Sequence, residues 1–147
     1  MRVAARTILP ISPEDAWRII TAWEDQARWM KDVYAVRVPS DHREGLGVRL
    51  AARTRVFGVP LFTDWLEVTL WEPPRRLVVA HQGFVRGVGR WTLDPDPSGT
   101  RFTWLEDVSL PVPLLGELAL FVYRPFMHRL MRGALANLQA FVRSEST

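Results

Sequence analysis

The chain has 147 residues, of which 48% are hydrophobic and 24% charged, with no cysteine. That length suits one domain, residues 1–147, with roughly 70% of the unfolded surface buried on folding, and the missing thiols exclude disulfides, thiolate metal sites and cysteine nucleophiles. The net charge is +3, and Lys31 is the one lysine among 19 basic residues, an arginine bias that fits GC-rich coding as well as it fits phosphate binding.

RVAARTIL alternates and predicts a first strand. Ser12-Pro13-Glu14-Asp15 then signals a helix start: Ser12 caps, Pro13 suits the first helical position, and the two acids favour the positive helix end. AWRII completes this short helix, and Thr21 to Glu24 has the spacing of a capping box for a second one through WEDQARWM. After Lys31 helical spacing gives way to alternation. VYAVRV predicts a strand, SDHREGLG a loop, and VRLAARTRVF a strand with Val48, Leu50, Ala52, Thr54 and Val56 on one face and Arg49, Arg53 and Arg55 on the other. Phe57–Pro60 is a tight connection into LFTDWLEVTLW, and Glu72-Pro73-Pro74-Arg75 turns the chain. RLVVAH, VRGVGRWTL and TRFTWLEDVSL are three further strands. From Pro113 to about Arg143 a long helix is predicted, with Leu120, Tyr123, Met127, Leu130, Met131, Leu138 and Phe141 near one face and Pro125 placed to kink or split it.

The order is strand, two short helices, six strands, long helix: an α+β chain whose consecutive hairpins imply an antiparallel sheet. With TILPISPEDAW at the first strand and helix, EVTLWEPPRRLVV at a central hairpin, GRWTLDPDPSGTRFTWLEDV at the last hairpin and LANLQAFV in the final helix, it resembles the helix-grip fold of the START/Bet v 1-like (SRPBCC) superfamily, and within it the bacterial polyketide cyclase/dehydrase-like proteins. The resemblance spans essentially the whole chain. It implies a curved antiparallel sheet of about seven strands wrapped around a long C-terminal helix, with two short helices between strands 1 and 2. It also implies a deep apolar cavity for lipids, polyketides, isoprenoid-like or other hydrophobic molecules, and in some members cyclisation or aromatisation. The family has no universal catalytic set, so no catalytic residue is carried over.

Strand parity turns Phe62, Asp64, Leu66, Val68 and Leu70 inward, followed by Leu77, Val79 and His81, then Gly87, Gly89, Trp91 and Leu93, and finally Phe102, Trp104, Glu106 and Val108. The turn DPDPSG suggests Leu93 opposite Thr100, hence Trp91 opposite Phe102, Gly89 opposite Trp104 and Gly87 opposite Glu106. Asp64, His81 and Glu106 then lie toward the end holding the connections Phe57–Leu61, Gln82–Phe84 and Leu110–Pro113, where a cavity mouth is expected. Two accounts are open for these three. They form an acid–base group able to move protons in an aldol cyclisation or dehydration, or they are rim residues, polar because water reaches them, with Glu106 partly solvated. Phe62, Leu66, Val79, Trp91, Phe102 and Trp104 from the strands, with Tyr123, Phe126, Met127 and Met131 from the helix, are the candidate ligand lining; a filled core is the alternative. An empty void of roughly 300 Å³ costs about 7 kcal/mol, so the cavity is expected to be wet, occupied or narrowed by the aromatics.

Arg49, Arg53, Arg55, Arg86, Arg90 and Arg101 face outward, away from most aromatics. The combination of stacking and phosphate contacts is missing, and no nucleic-acid partner is expected. Trp65 and Trp71 share that outward parity and point to a bulge or an association surface, while Arg124, His128 and Arg132 form the wet side of the helix. His42, His81 and His128 lack metal-ligand spacing and GFVRGVGR lacks the dinucleotide fingerprint, so neither metal nor cofactor is expected. No signal-peptide h-region and no run near 18 apolar residues is present; a cytoplasmic protein without stable membrane insertion is expected, monomer or dimer. Three functions follow in order: binding of a hydrophobic small molecule, a cyclase/dehydratase-type enzyme using His81 with Asp64 or Glu106, and a protein-interaction module.

Overall fold

Residues 1–145 are described by the structure, a computed structural model. The alternating segments form β1 (Arg2–Leu9), β2 (Val33–Arg37), β3 (Arg49–Val56), β4 (Val59–Glu72), β5 (Arg76–Gln82), β6 (Arg86–Asp96) and β7 (Gly99–Ser109). They make one antiparallel sheet of order β1-β7-β6-β5-β4-β3-β2. From β2 to β7 the chain meanders through hairpins, and β1 closes the far edge beside β7. The connection from β1 to β2 therefore crosses the sheet, carrying α1 (Pro13–Ile20), a 3-10 turn (Trp23–Asp25) and α2 (Gln26–Trp29). The long helix α3 (Leu115–Glu145) follows β7 and packs on β1 and α2. This is the helix-grip arrangement.

The start of α1 follows the expected chemistry: Ser12 Oγ accepts the Asp15 N–H at 3.2 Å, with Pro13 in the first turn. The expected capping box at Thr21 is absent. The Thr21 hydroxyl instead donates to the Trp17 carbonyl one turn back, at 2.7 Å. The Thr21 side chain is thereby turned back onto its own helix, and the 3-10 turn starts without a side-chain cap. Pro125 does not split α3, which runs as one 31-residue helix. The carbonyl its missing N–H leaves unpaired belongs to Phe121, which is 75% exposed, so water can satisfy it.

Most of the buried side chains of α3 lie in its second half. Met131, Ala134, Leu135, Leu138 and Val142 are buried there, whereas Leu115, Leu118, Phe121 and Val122 in the first half are exposed. At the closed end the core is aromatic: Trp29 lies 5.9 Å from Trp91 and 6.3 Å from Trp104, and Trp91 packs 5.7 Å from Phe102.

Two register features depart from simple alternation. Pairing of β6 with β7 continues to Asp96 and Gly99, so that only Pro97 and Ser98 turn the chain. The Asp96 carboxylate accepts the Ser98 N–H at 2.9 Å, and Gly99 takes φ +136°. Leu93 therefore faces Phe102, Trp91 faces Trp104, Gly89 faces Glu106 and Gly87 faces Val108. This corrects the expected register by two residues, which preserves every face but moves Glu106 one pleat deeper, about 7 Å along the sheet. In β4 the register with β5 shifts between Val68 and Leu70. The bulge turns Trp71, rather than Leu70, onto the core, where its ring lies 5.1 Å from Trp17 and 6.2 Å from Trp23. Trp65, before the bulge, keeps its outward parity at 43% exposed.

Candidate functional site

Between the concave face of the sheet and the first half of α3 lies a cavity of about 660 Å³. Of the anticipated lining, Phe62, Leu66, Val79, Trp91, Trp104, Tyr123 and Met127 face it. Phe102, Phe126 and Met131 do not. Phe102 is fully buried at the closed end beneath Trp91, and Met131 lies a turn past Met127, where α3 settles on the core. Phe126 stacks on the outer side, 4.5 Å from Phe57 and 5.3 Å from Tyr123. The cavity opens at the anticipated end, where Phe57, Leu61, Phe84, Leu115, Leu118 and Val122 both line it and are exposed. The aromatics are thus divided between closed end and mouth, and they leave the middle open.

Asp64, His81 and Glu106 meet on the wall of this cavity. The Nδ1–H of His81 donates to Asp64 Oδ2 at 2.9 Å, and its Nε2–H to Glu106 Oε2 at 2.9 Å. The other Glu106 oxygen, Oε1, accepts the indole N–H of Trp104 at 2.8 Å. The side chains of Asp64, His81 and Glu106 are only 16%, 8% and 9% exposed. Glu106 is therefore a buried member of a network, which corrects the expectation of a partly solvated rim residue.

The backbone explains how the three reach each other. His81 on β5 and Glu106 on β7 flank β6, about 10 Å apart at two strand spacings. The intervening strand has glycine at 89, the partner of Glu106. With no side chain there, the Glu106 carboxylate lies across β6; a Cβ on Gly89 would stand 2.8 Å from Glu106 Oε1. Asp64 comes from β4, two residues before Leu66, the partner of His81.

Burial opposes charge on His81, but hydrogen bonds to Asp64 and Glu106 outweigh it and push the imidazole up to about 10. At neutral pH His81 is an imidazolium with both protons committed. It serves poorly as a base and well as a clamp holding two carboxylates in fixed positions. A third carboxyl, Asp32, lines the same cavity. Burial pushes it up to about 6, and the charges of Glu106 and Asp64 add to the shift. Burial also raises the Tyr123 hydroxyl to about 12, with Asp32 contributing.

Residues 1–143 match the family described as polyketide cyclase / dehydrase and lipid transport. The chain belongs to that family. No curated protein matches the sequence. Among solved structures, the chain is similar to TTHA0849 from Thermus thermophilus, at 23% identity over 100% of both chains with a TM-score of 0.85. It is also similar to a START superfamily protein from Mycobacterium smegmatis, at 15% identity over 97% of both chains and a TM-score of 0.71. It further resembles the di-domain ARO/CYC StfQ from the steffimycin biosynthetic pathway, at 15% identity over 99% of this chain and 51% of that one, with a TM-score of 0.75. At such identities these likenesses establish the fold.

In this polyketide cyclase/dehydrase-like chain, sequence reasoning missed Asp32, Gln26 and Thr54, which all line the cavity. Thr54 carried a partial signal, since its inward parity was legible. Asp32 carried none. It sits in the connection between α2 and β2, where no periodicity applies, and its backbone carbonyl is held by the Arg55 N–H at 2.7 Å.

Proposed function

We propose that the protein binds one apolar small molecule in the cavity between its sheet and the first half of α3. The observation that carries this is a space of about 660 Å³, walled mainly by Leu, Val, Phe, Trp and Met side chains and opening through an apolar mouth. At about 24 cal/mol per Å³, leaving such a space dry would cost about 16 kcal/mol, more than a typical fold's total stability of roughly 5–15 kcal/mol. Water alone would find few partners on walls this apolar. Native mass spectrometry of gently purified protein, followed by organic extraction, tests the proposal. One apolar molecule per chain is expected, and failure to recover or load any apolar molecule counts against it.

A second use of the same cavity, acid–base chemistry of the cyclase/dehydratase type, is supported by His81 standing 2.9 Å from both carboxylates. With the His81 protons committed, the mobile proton in this scheme belongs to Asp32, whose carboxyl titrates at about 6. Turnover of a poly-β-ketone thioester that falls at least 100-fold in Asp32→Asn is the expected result. Absence of turnover by the unmodified protein removes the scheme.

A further inference from the structure

We propose that the cavity selects apolar molecules carrying a protonated amine and discriminates against carboxylates and phosphates. This rests on the apolar-ligand function above and names the head group that function requires. The grounds are the donors and acceptors on the wall. Its ionisable side chains include three carboxyls, Asp32, Asp64 and Glu106, and among the described residues no Lys or Arg side chain lines it. The one imidazolium, His81, is neutralised by the two carboxylates it touches, which leaves that cluster with a net negative charge.

Most of the side-chain donors are spent as well. Both His81 N–H groups go to Asp64 and Glu106, the Trp104 indole N–H goes to Glu106, the Thr54 hydroxyl to the Ala52 carbonyl, and the Gln26 amide to the Ile20 carbonyl. The ammonium of Met1, which also lies on the wall, donates one of its three N–H groups to the Val108 carbonyl at 2.8 Å and offsets one of the carboxylate charges. An anionic head group entering this space meets three carboxylates of its own sign, against the remaining N–H groups of Met1 and Gln26 and the hydroxyl of Tyr123. An ammonium group meets carboxylate oxygens with lone pairs to spare, together with the aromatic faces of Trp104 and Tyr123. Buried polar groups left unpaired by the wrong partner are the strongest source of discrimination available to such a site.

Nonspecific electrostatics predict the opposite order. The whole chain carries a net charge of +3, which favours anions at its surface. A preference for amines therefore reports the cavity and not the exterior.

Isothermal titration of the full chain at pH 7.5 with dodecylamine, dodecanol and dodecanoate, all below micellar concentration, compares one tail with three head groups. Dodecylamine is expected to bind about 100-fold more tightly than dodecanoate, the scale of one or two charge-assisted hydrogen bonds, with dodecanol between them. Equal or tighter binding of dodecanoate overturns the selectivity and leaves apolar binding standing. Failure of all three to bind overturns both. Asp32→Asn removes a carboxylate outside the His81 network, so it spares that network. It is expected to lower the amine-to-alcohol affinity ratio about tenfold, and an unchanged ratio in this folded variant also overturns the proposal.

Discussion

At the scale of single residues, the molecule's chemistry turns on a histidine that cannot act freely. His81 is held between Asp64 and Glu106, and its folded-state pKa of about 10 lies above the ordinary 6.5. The folded protein therefore holds the proton more tightly than the unfolded chain does. The resulting stabilisation is complete below about pH 6.5 and is lost as pH rises toward 10. Asp32, raised from 3.8 to about 6, acts in the same sense in its own window: stability declines as pH rises from 3.8 to 6. His81→Gln is expected to cost about 3 kcal/mol at pH 7, because two buried carboxylates lose their counter-charge. It should also flatten the fall in stability between pH 6.5 and 10. Urea unfolding at pH 6, 8 and 10 measures both effects, and parallel pH profiles for the two proteins would refute the clamp. The inward faces of Asp64, His81 and Glu106 were legible in the sequence because side chains alternate with period two. Their contact was not legible, since it depends on the empty position at Gly89 and on a register that alternation leaves open.

At the scale of elements, the mouth is set by the hairpin joining β3 and β4 and by the first half of α3. Phe57 and Gly58 make the two-residue turn, with φ of +50° and +79°. A phenylalanine in that conformation is strained by roughly 1–2 kcal/mol, yet its ring is placed 5.5 Å from Tyr123 and 4.5 Å from Phe126 on α3. The strained turn thus ties the sheet to the helix across the mouth. Phe57→Asn relieves the backbone while removing this aromatic tie, which is itself worth about 0.5–1.5 kcal/mol. Stability should stay within about 1 kcal/mol of the starting protein, while release of a neutral apolar dye such as N-phenyl-1-naphthylamine quickens several-fold in stopped-flow measurements. An unchanged release rate would show that Phe57 does not control the mouth. The sequence marked this segment as a tight connection, but not that its aromatic reaches α3. The bulge in β4 is a similar case, because a single register shift exchanged Leu70 for Trp71 on the core face.

At the scale of the whole molecule, the closed end and the mouth obey different rules. Around Trp29, Leu93 and Phe102 the side chains are fully buried and none of them lines the cavity. Around Phe57, Leu61, Phe84, Leu115, Leu118 and Val122 large apolar side chains stay exposed beside an open cavity. Among the described residues no helix is long and apolar enough to cross a membrane. The helix-grip architecture and the end at which the cavity opens came from the resemblance of the element order to a known fold family; local periodicity and turn chemistry were enough, from the sequence by itself, to determine the order of elements and the inward face of most strand positions. These are properties of neighbours along the chain, set by the 2.0- and 3.6-residue repeats. Tertiary structure alone decided how deep Glu106 lies, which aromatics line the cavity rather than fill it, and that Asp32 joins Asp64 and Glu106 on one wall. Each of these depends on strand register, a bulge or a crossing connection, where pairings between distant segments, and not the local pattern, carry the energy.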